Sequence, residues 1–215
     1  MKRLLLLTLL LLGAGRVLAQ GEYYDQRRSL FEVLPIRSSD IVFLGNSITD
    51  GGEWAELFDN RHVRNRGISG DQTGWMLGRL DPILAGHPKR LFLMIGTNDL
   101  AVGISPDEVV ANIARIIERF QTESRWTRLF VQSILPVNGR DFSKFKGHYA
   151  HADAIVETNR LLQALCEEKG VTYIDLWPAL ANDDGLLDSR YTNDGLHLVG
   201  EGYLVWRDAL KPYVK

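Results

Sequence analysis

Short apolar, β-branched runs alternate along this chain with longer stretches of helical periodicity, and that alternation leaves few folds open. The runs Ile41–Leu44, His62–Asn65, Arg90–Ile95, Arg128–Leu135 and Val171–Leu176 read as strands. Trp54–Phe58, Thr73–Leu84, Pro106–Gln121, Ala152–Lys169 and Gly202–Tyr213 read as helices. Buried strands joined through amphipathic helices form right-handed βαβ units, which build an α/β fold whose parallel sheet is covered on both faces. The helix from Pro106 is the clearest. Ser105 is placed to cap it, Pro106 opens its first turn, and Asp107 and Glu108 face the positive end of the helix dipole. Val109, Val110, Ile113, Ile116, Ile117 and Phe120 then recur at helical spacing as a buried stripe.

A chain of 215 residues, 45% hydrophobic and 24% charged, supplies one sizeable core and needs no second domain. Its 25 basic and 27 acidic side chains leave a net charge of −2, so no field of one sign marks it as a nucleic-acid binder. No internal repeat, low-complexity tract or interdomain linker interrupts the pattern.

Open parallel sheets collect their ligands just beyond the carboxyl ends of the strands. The glycines and polar residues of this sequence fall there. Gly45-Asn46-Ser47-Ile48-Thr49 follows the first strand, Gly67 to Thr73 the second, Gly96-Thr97-Asn98-Asp99 the third and Pro136-Val137-Asn138 the fourth. A strand-end serine becomes a nucleophile when a base takes its proton and donors hold the oxyanion of the tetrahedral intermediate. His197 is the best base, and one turn brings Asp194, three residues earlier, to its side. A plain surface bend at Asn193-Asp194-Gly195 is the competing reading, and it weakens beside a strand-end serine. Gly70, between Ser69 and Asp71, offers a backbone N–H and Asn98 a side-chain amide for the oxyanion, although ordinary turns also use such residues. His62 and His87 sit at polar loop edges, whereas His148 and His151 are placed to meet solvent or line a pocket mouth. Neither H-E-x-x-H nor clustered ligand spacing indicates a metal, and the G-x-S-x-G elbow is absent.

Taken in order, Gly45 to Thr49, Gly67-Ile68-Ser69-Gly70-Asp71, Gly96 to Asp99 and Asp194-Gly195-Leu196-His197 resemble the four blocks of the SGNH hydrolase superfamily, also called GDSL-type esterases and lipases. The resemblance implies Ser47 as nucleophile, Asp194 and His197 as acid and base, and the Ser47 N–H, Gly70 and Asn98 as the oxyanion hole. It also implies a three-layer α/β/α sandwich, flavodoxin-like, with about five parallel strands and no cofactor. Asn46 stands where the family's name motif carries aspartate, a change beside the nucleophile and outside the triad. The segment Gly195 to Tyr203 looks like the branch holding platelet-activating-factor acetylhydrolase-like and carbohydrate acetylesterase-like proteins, which implies a short acyl group, often acetyl.

Asn46, Asp99, Arg140 and Tyr149 are the candidate substrate contacts. The connection from Asp141 to Ala154 shows no clear periodicity, and Arg140, Lys144, Lys146, His148, Tyr149 and His151 lie in or beside it. Such a loop suits an acidic acetylated sugar if it faces the site, and is a solvated excursion if it does not. The expected activity is serine-esterase hydrolysis of short-chain acyl esters, with O-acetylated carbohydrate as the substrate. Lipid or lysophospholipid esters and thioesters are the alternative within the superfamily. A non-catalytic exported carbohydrate-binding protein is a rival of another class, and the fold alone also permits a nucleotide or flavin binder.

Lys2-Arg3, the apolar stretch Leu4 to Leu12 and Val17-Leu18-Ala19 have the layout of a secretory signal peptide. Gly13, Gly15 and Arg16 end the apolar run well short of the roughly 18 residues of a membrane span. The expected division is a signal peptide over 1–19, a lead-in over 20–39 carrying an apolar staple (Leu30, Phe31, Val33, Leu34), and the hydrolase domain over 40–215. The expected location is periplasmic or secreted, without a lipid anchor. Cys166 is the one cysteine, so no intramolecular disulfide forms, and its leucine-rich neighbours make it a small core residue.

Overall fold

The computed structural model describes residues 21–214; the expected signal peptide lies outside the described residues. Five parallel strands form one sheet: β1 (Ile41–Gly45), β2 (Val63–Gly67), β3 (Arg90–Met94), β4 (Arg128–Gln132) and β5 (Thr172–Ile174). Their order is β2-β1-β3-β4-β5, the flavodoxin-type winding. β1 and β3 are buried at every position, as expected of central strands covered on both faces.

Eleven helices are interleaved among the described residues: α1 (Glu22–Val33), α2 (Ser47–Asp50), α3 (Trp54–Leu57), α4 (Thr73–Leu77), α5 (Asp81–Ala85), α6 (Thr97–Ala101), α7 (Pro106–Glu123), α8 (Lys146–Tyr149), α9 (Ala152–Lys169), α10 (Trp177–Leu180) and α11 (Gly200–Val214). Sheet register places Phe43, Phe92 and Phe130 side by side, with ring centroids 4.9 and 4.6 Å apart. α3 and α11 cover this aromatic face: Trp54 stacks on Phe43 at 4.4 Å, and Trp206 meets Trp54 edge-on at 4.6 Å. The buried Trp206 indole N–H donates to Gln132 at 2.7 Å, which satisfies a polar group that would otherwise be stranded. α7 and α9 pack side by side against the opposite face. Ser105 caps α7 by accepting from Glu108 N–H, and Gly170 ends α9 in the left-handed region at φ 64°.

The expected helix over Thr73–Leu84 is two short helices. Gly78 ends α4, Arg79 turns inward, and Pro82 fits only the first turn of a new helix. The lead-in does form a helix, α1, but its staple is mostly exposed: Leu30, Val33 and Leu34 face outward. Only Phe31 of that set is buried, and it joins Tyr24, Ile68 and Trp75 in a small cluster apart from the main core. The guanidinium groups of Arg27 and Arg66 lie over the Phe31 ring at 4.6 and 4.7 Å. β4 stops at Gln132, three residues before the expected Leu135, and Asn159 takes over there by bonding both the N–H and the carbonyl of Ile134.

Candidate active site

In this winding the strand order reverses between β1 and β3, and the crevice above that reversal is where such sheets bind ligands. Ser47 lies two residues past the end of β1, and Asn98 four past the end of β3. The chain turns sharply after β1 because Gly45 leaves no room for a side chain: a Cβ there would strike Thr49 Oγ1 and come within 2.5 Å of Met94 O. Asn46 then caps α2, its Oδ1 accepting from Ile48 N–H at 3.0 Å. Ser47 is thereby the first residue of α2, where a helix N–H has no partner within the helix. Two other elements hold α2 down. Asn65 on β2 donates to the carbonyls of Thr49, Asp50 and Gly52, and Tyr203 on α11 donates to Ile48 O at 2.8 Å.

Ser47 Oγ lies 2.9 Å from His197 Nε2, and His197 Nδ1 lies 2.9 Å from Asp194 Oδ2. The other Asp194 oxygen accepts the backbone N–H groups of Leu196 and His197 at 3.0 and 2.8 Å. Burial alone would raise the Asp194 carboxyl. The His197 N–H, the His197 ring and the Leu196 N–H together hold it below its ordinary value, so it is an anion facing the imidazole. The bend at Asn193-Asp194-Gly195 is therefore a site turn. Gly195 has a φ of 79°, and Asn138 anchors it by donating its own N–H to Gly195 O at 2.8 Å. Asn138 is fully buried and also ties down Leu187 O and Asp141.

After β2, Gly70 takes a φ of 82° with open space where a side chain would be, and its N–H has no partner among the described residues. Asn98 uses one amide hydrogen on Asp71 O at 2.9 Å and leaves the other free. Its Oδ1 lies 3.0 Å from His148 Nε2. Ser47, Gly70, Asn98 and the Asp194–His197 pair, the candidate catalytic and oxyanion residues, thus stand on four strand-end or turn segments.

The four candidate substrate contacts fare differently. Asn46 and Asp99 are fully buried and bind the protein itself, so neither lines the crevice. Asp99 accepts from the N–H and the hydroxyl of Thr73, fastening α6 to α4. Arg140 is drawn to Asp184 at 2.6 Å in a pair that is more than half exposed. Tyr149 does reach the site, where its hydroxyl donates to Asp194 O at 2.5 Å. The segment read as a loop contains α8, and it lies against the site rather than out in solvent. Phe145, just before α8, sets its ring edge-on to His197 at 5.1 Å. Sequence reasoning placed Asn138 only as a strand-end residue, without its anchoring of the Gly195 turn, and missed Phe145 and the buried Arg79. Among the described residues no group of three or more His, Cys, Asp or Glu side chains is arranged to hold a metal. No described helix is long and apolar enough to cross a membrane.

A serine hydrogen-bonded to a histidine that meets a carboxylate, at the switch point of a flavodoxin-type sheet, is the arrangement that a serine hydrolase of the SGNH kind requires. The chain belongs to the GDSL-like Lipase/Acylhydrolase family, whose sequence profile matches residues 43–205, and it is a carboxylic ester hydrolase. It is 28% identical over 178 residues to the Bos taurus platelet-activating factor acetylhydrolase IB subunit alpha1, covering 78% of this chain and 71% of that protein. A structure from Streptococcus pneumonia, described as a candidate platelet activating factor, superposes with a TM-score of 0.80 at 32% identity, covering 89% of this chain and 90% of the other. An acetylxylan esterase from Geobacillus stearothermophilus shares the fold, with a TM-score of 0.66 at 18% identity over 82% of this chain and 94% of that one.

Proposed function

We propose that this protein is a serine esterase that removes short acyl groups, acetyl foremost, from O-acylated carbohydrate through a covalent Ser47 intermediate. The observation that carries this reading is the unbroken chain from Ser47 Oγ to His197 and on to Asp194, with both links at 2.9 Å. His197 Nε2 takes the Ser47 proton as Oγ attacks the ester carbonyl. The new oxyanion is held by the Ser47 and Gly70 N–H groups and the free Asn98 amide hydrogen. His197 then gives its proton to the leaving alcohol, and next takes one from the water that releases the acid. Asp194 keeps the imidazole in the productive tautomer and stabilises its charged form.

The acetyl preference is supported by the names of the acetylhydrolase and acetylxylan esterase relatives. The same platelet-activating factor relatives favour a second reading, in which the acyl group is carried by a lipid alcohol. Export with cleavage after Ala19 is part of the proposal and fits an extracellular glycan ester.

Ser47→Ala should abolish turnover of p-nitrophenyl acetate and labelling by a fluorophosphonate while the protein remains folded. Unchanged turnover would overturn the assignment, and a folded wild type that never labels would return the chain to the non-catalytic binders. A series of p-nitrophenyl esters of increasing chain length, followed by acetylated sugars and a lysophospholipid, separates the two alcohols.

A further inference from the structure

An oxyanion-hole asparagine works in only one of its two amide orientations. With Nδ2 toward the crevice it donates to the developing charge, and with Oδ1 there it repels that charge. Two neighbours meet the Asn98 amide. Asp71 O is a carbonyl and can only accept, so at 2.9 Å it selects Nδ2. His148 Nε2 lies 3.0 Å from Oδ1, and a ring nitrogen beside an oxygen must be the one that carries hydrogen. Were the proton on Nδ1 instead, Nε2 would be an acceptor competing for the amide hydrogens.

We propose that His148 is a positioning residue for the oxyanion hole: its Nε2–H donates to Asn98 Oδ1 and locks the amide with Nδ2 toward the crevice. This rests on the esterase reading and adds a group to it. The ring is well placed for the task. α8 carries it between the two halves of the site, with Phe145 edge-on to both His148 (5.7 Å) and His197 (5.1 Å), and with Tyr149 bonded to Asp194 O. On α6, Ala101 O closes in on Gly147, where an added Cβ would sit 3.2 Å away, so the backbone of α8 is held near Asn98. The charged and titratable groups facing His148 are His197 and Asp194 on the site turn and His151 beyond α8. Burial and then His197 lower the His148 ring to about 4, so it stays neutral, with a single N–H, at working pH.

The test is a double-mutant cycle in the full chain, read by steady-state turnover of p-nitrophenyl acetate. His148→Leu should lower kcat by about 10- to 100-fold, less than deletion of an oxyanion donor, with KM little changed. His148→Gln, which retains a side-chain N–H donor, should recover most of that loss. In an Asn98→Ala background His148→Leu should cost nothing more, whereas a merely structural role would cost the same in both backgrounds. A second measurement needs no variant: long-range ¹⁵N–¹H spectra of the wild-type histidines should show the His148 proton on Nε2. Additive losses in the cycle, or a proton on Nδ1, would overturn the proposal. Failure of the underlying esterase reading is recognised separately, by activity that survives Ser47→Ala.

Discussion

Arg79 grips Asp71 with two nitrogens, at 2.6 and 2.8 Å, and both side chains are almost wholly buried. Arg79 also donates to Gly45 O and Arg66 O, at the ends of β1 and β2. One guanidinium therefore joins the strand that leads to Ser47 with the turn that carries Gly70 and supports Asn98. Removing it strands a buried carboxylate. Arg79→Met should lower stability by about 3–5 kcal/mol in urea titrations, and Arg79→Lys should not restore it because an ammonium cannot reproduce the fork. Recovery by lysine would show that charge alone matters here.

Asn98→Ala removes the free amide hydrogen above the crevice. Turnover of p-nitrophenyl acetate should fall by roughly 10²–10³ with the melting temperature nearly unchanged. A loss confined to KM would mean that Asn98 binds the ground state instead.

Asp194→Asn keeps an oxygen for the Leu196 and His197 N–H groups but presents an amide to the imidazole. The wrong tautomer is then favoured, and kcat should drop by about 10³–10⁴ in stopped assays of the folded variant.

Two left-handed glycines give a contrast. Gly170, at φ 64° with open space around it, should tolerate alanine at a cost of about 1 kcal/mol and no loss of activity. Alanine at Gly195, at φ 79°, drives a Cβ into Asn138 O and disturbs the turn between Asp194 and His197. Stability and activity should both fall, as melting curves and turnover on the two variants will record.

The His148 ring gives a pH signature. Its pKa is about 4 in the folded chain against an ordinary 6.5, so between these values the unfolded chain holds the extra proton. Stability should therefore decline as pH falls from about 6.5 toward 4, by on the order of 2–3 kcal/mol from this residue. Asp71 and Asp99, both raised by burial to about 6 from 3.8, act in the opposite direction over much of that window. They are common to wild type and His148→Gln. Urea melts at three pH values should thus show the wild type losing stability relative to the variant as pH falls from about 6.5 toward 4, and an unchanged difference would contradict the shift.

The parts of the molecule visible in the sequence are those written in local periodicity or at strand ends. α7 announces itself by apolar spacing and by Ser105, and α9 spans the expected residues. Ser47 and Asn98 were placed by the rule that ligands lie beyond the strands, and the Asp194–His197 pair by the three-residue spacing of an acid and a base. Hidden features depend on partners far along the chain. No local pattern says that Arg79 turns inward, because Asp71 and Gly45 O decide it. α8 has four residues, too few for a period to emerge, so its hold on His197 and Asn98 was read as a loop. Asn46 and Asp99 look like substrate contacts because they are polar and beside the site, yet their side chains serve backbone groups that burial would otherwise leave unpaired.

The bond between Ser47 and His197 joins residues 150 apart in sequence, across a sheet whose pairings are all parallel. Closing loops of that length comes before any reward from the contact, so chains of this topology fold slowly. No fragment that stops short of α11 contains Ser47, Asp194 and His197 together with the helix that pins α2. Ester turnover in this protein is consequently an all-or-none readout of completed folding: during refolding, activity should return only with the last kinetic phase, after most of the helical signal has recovered.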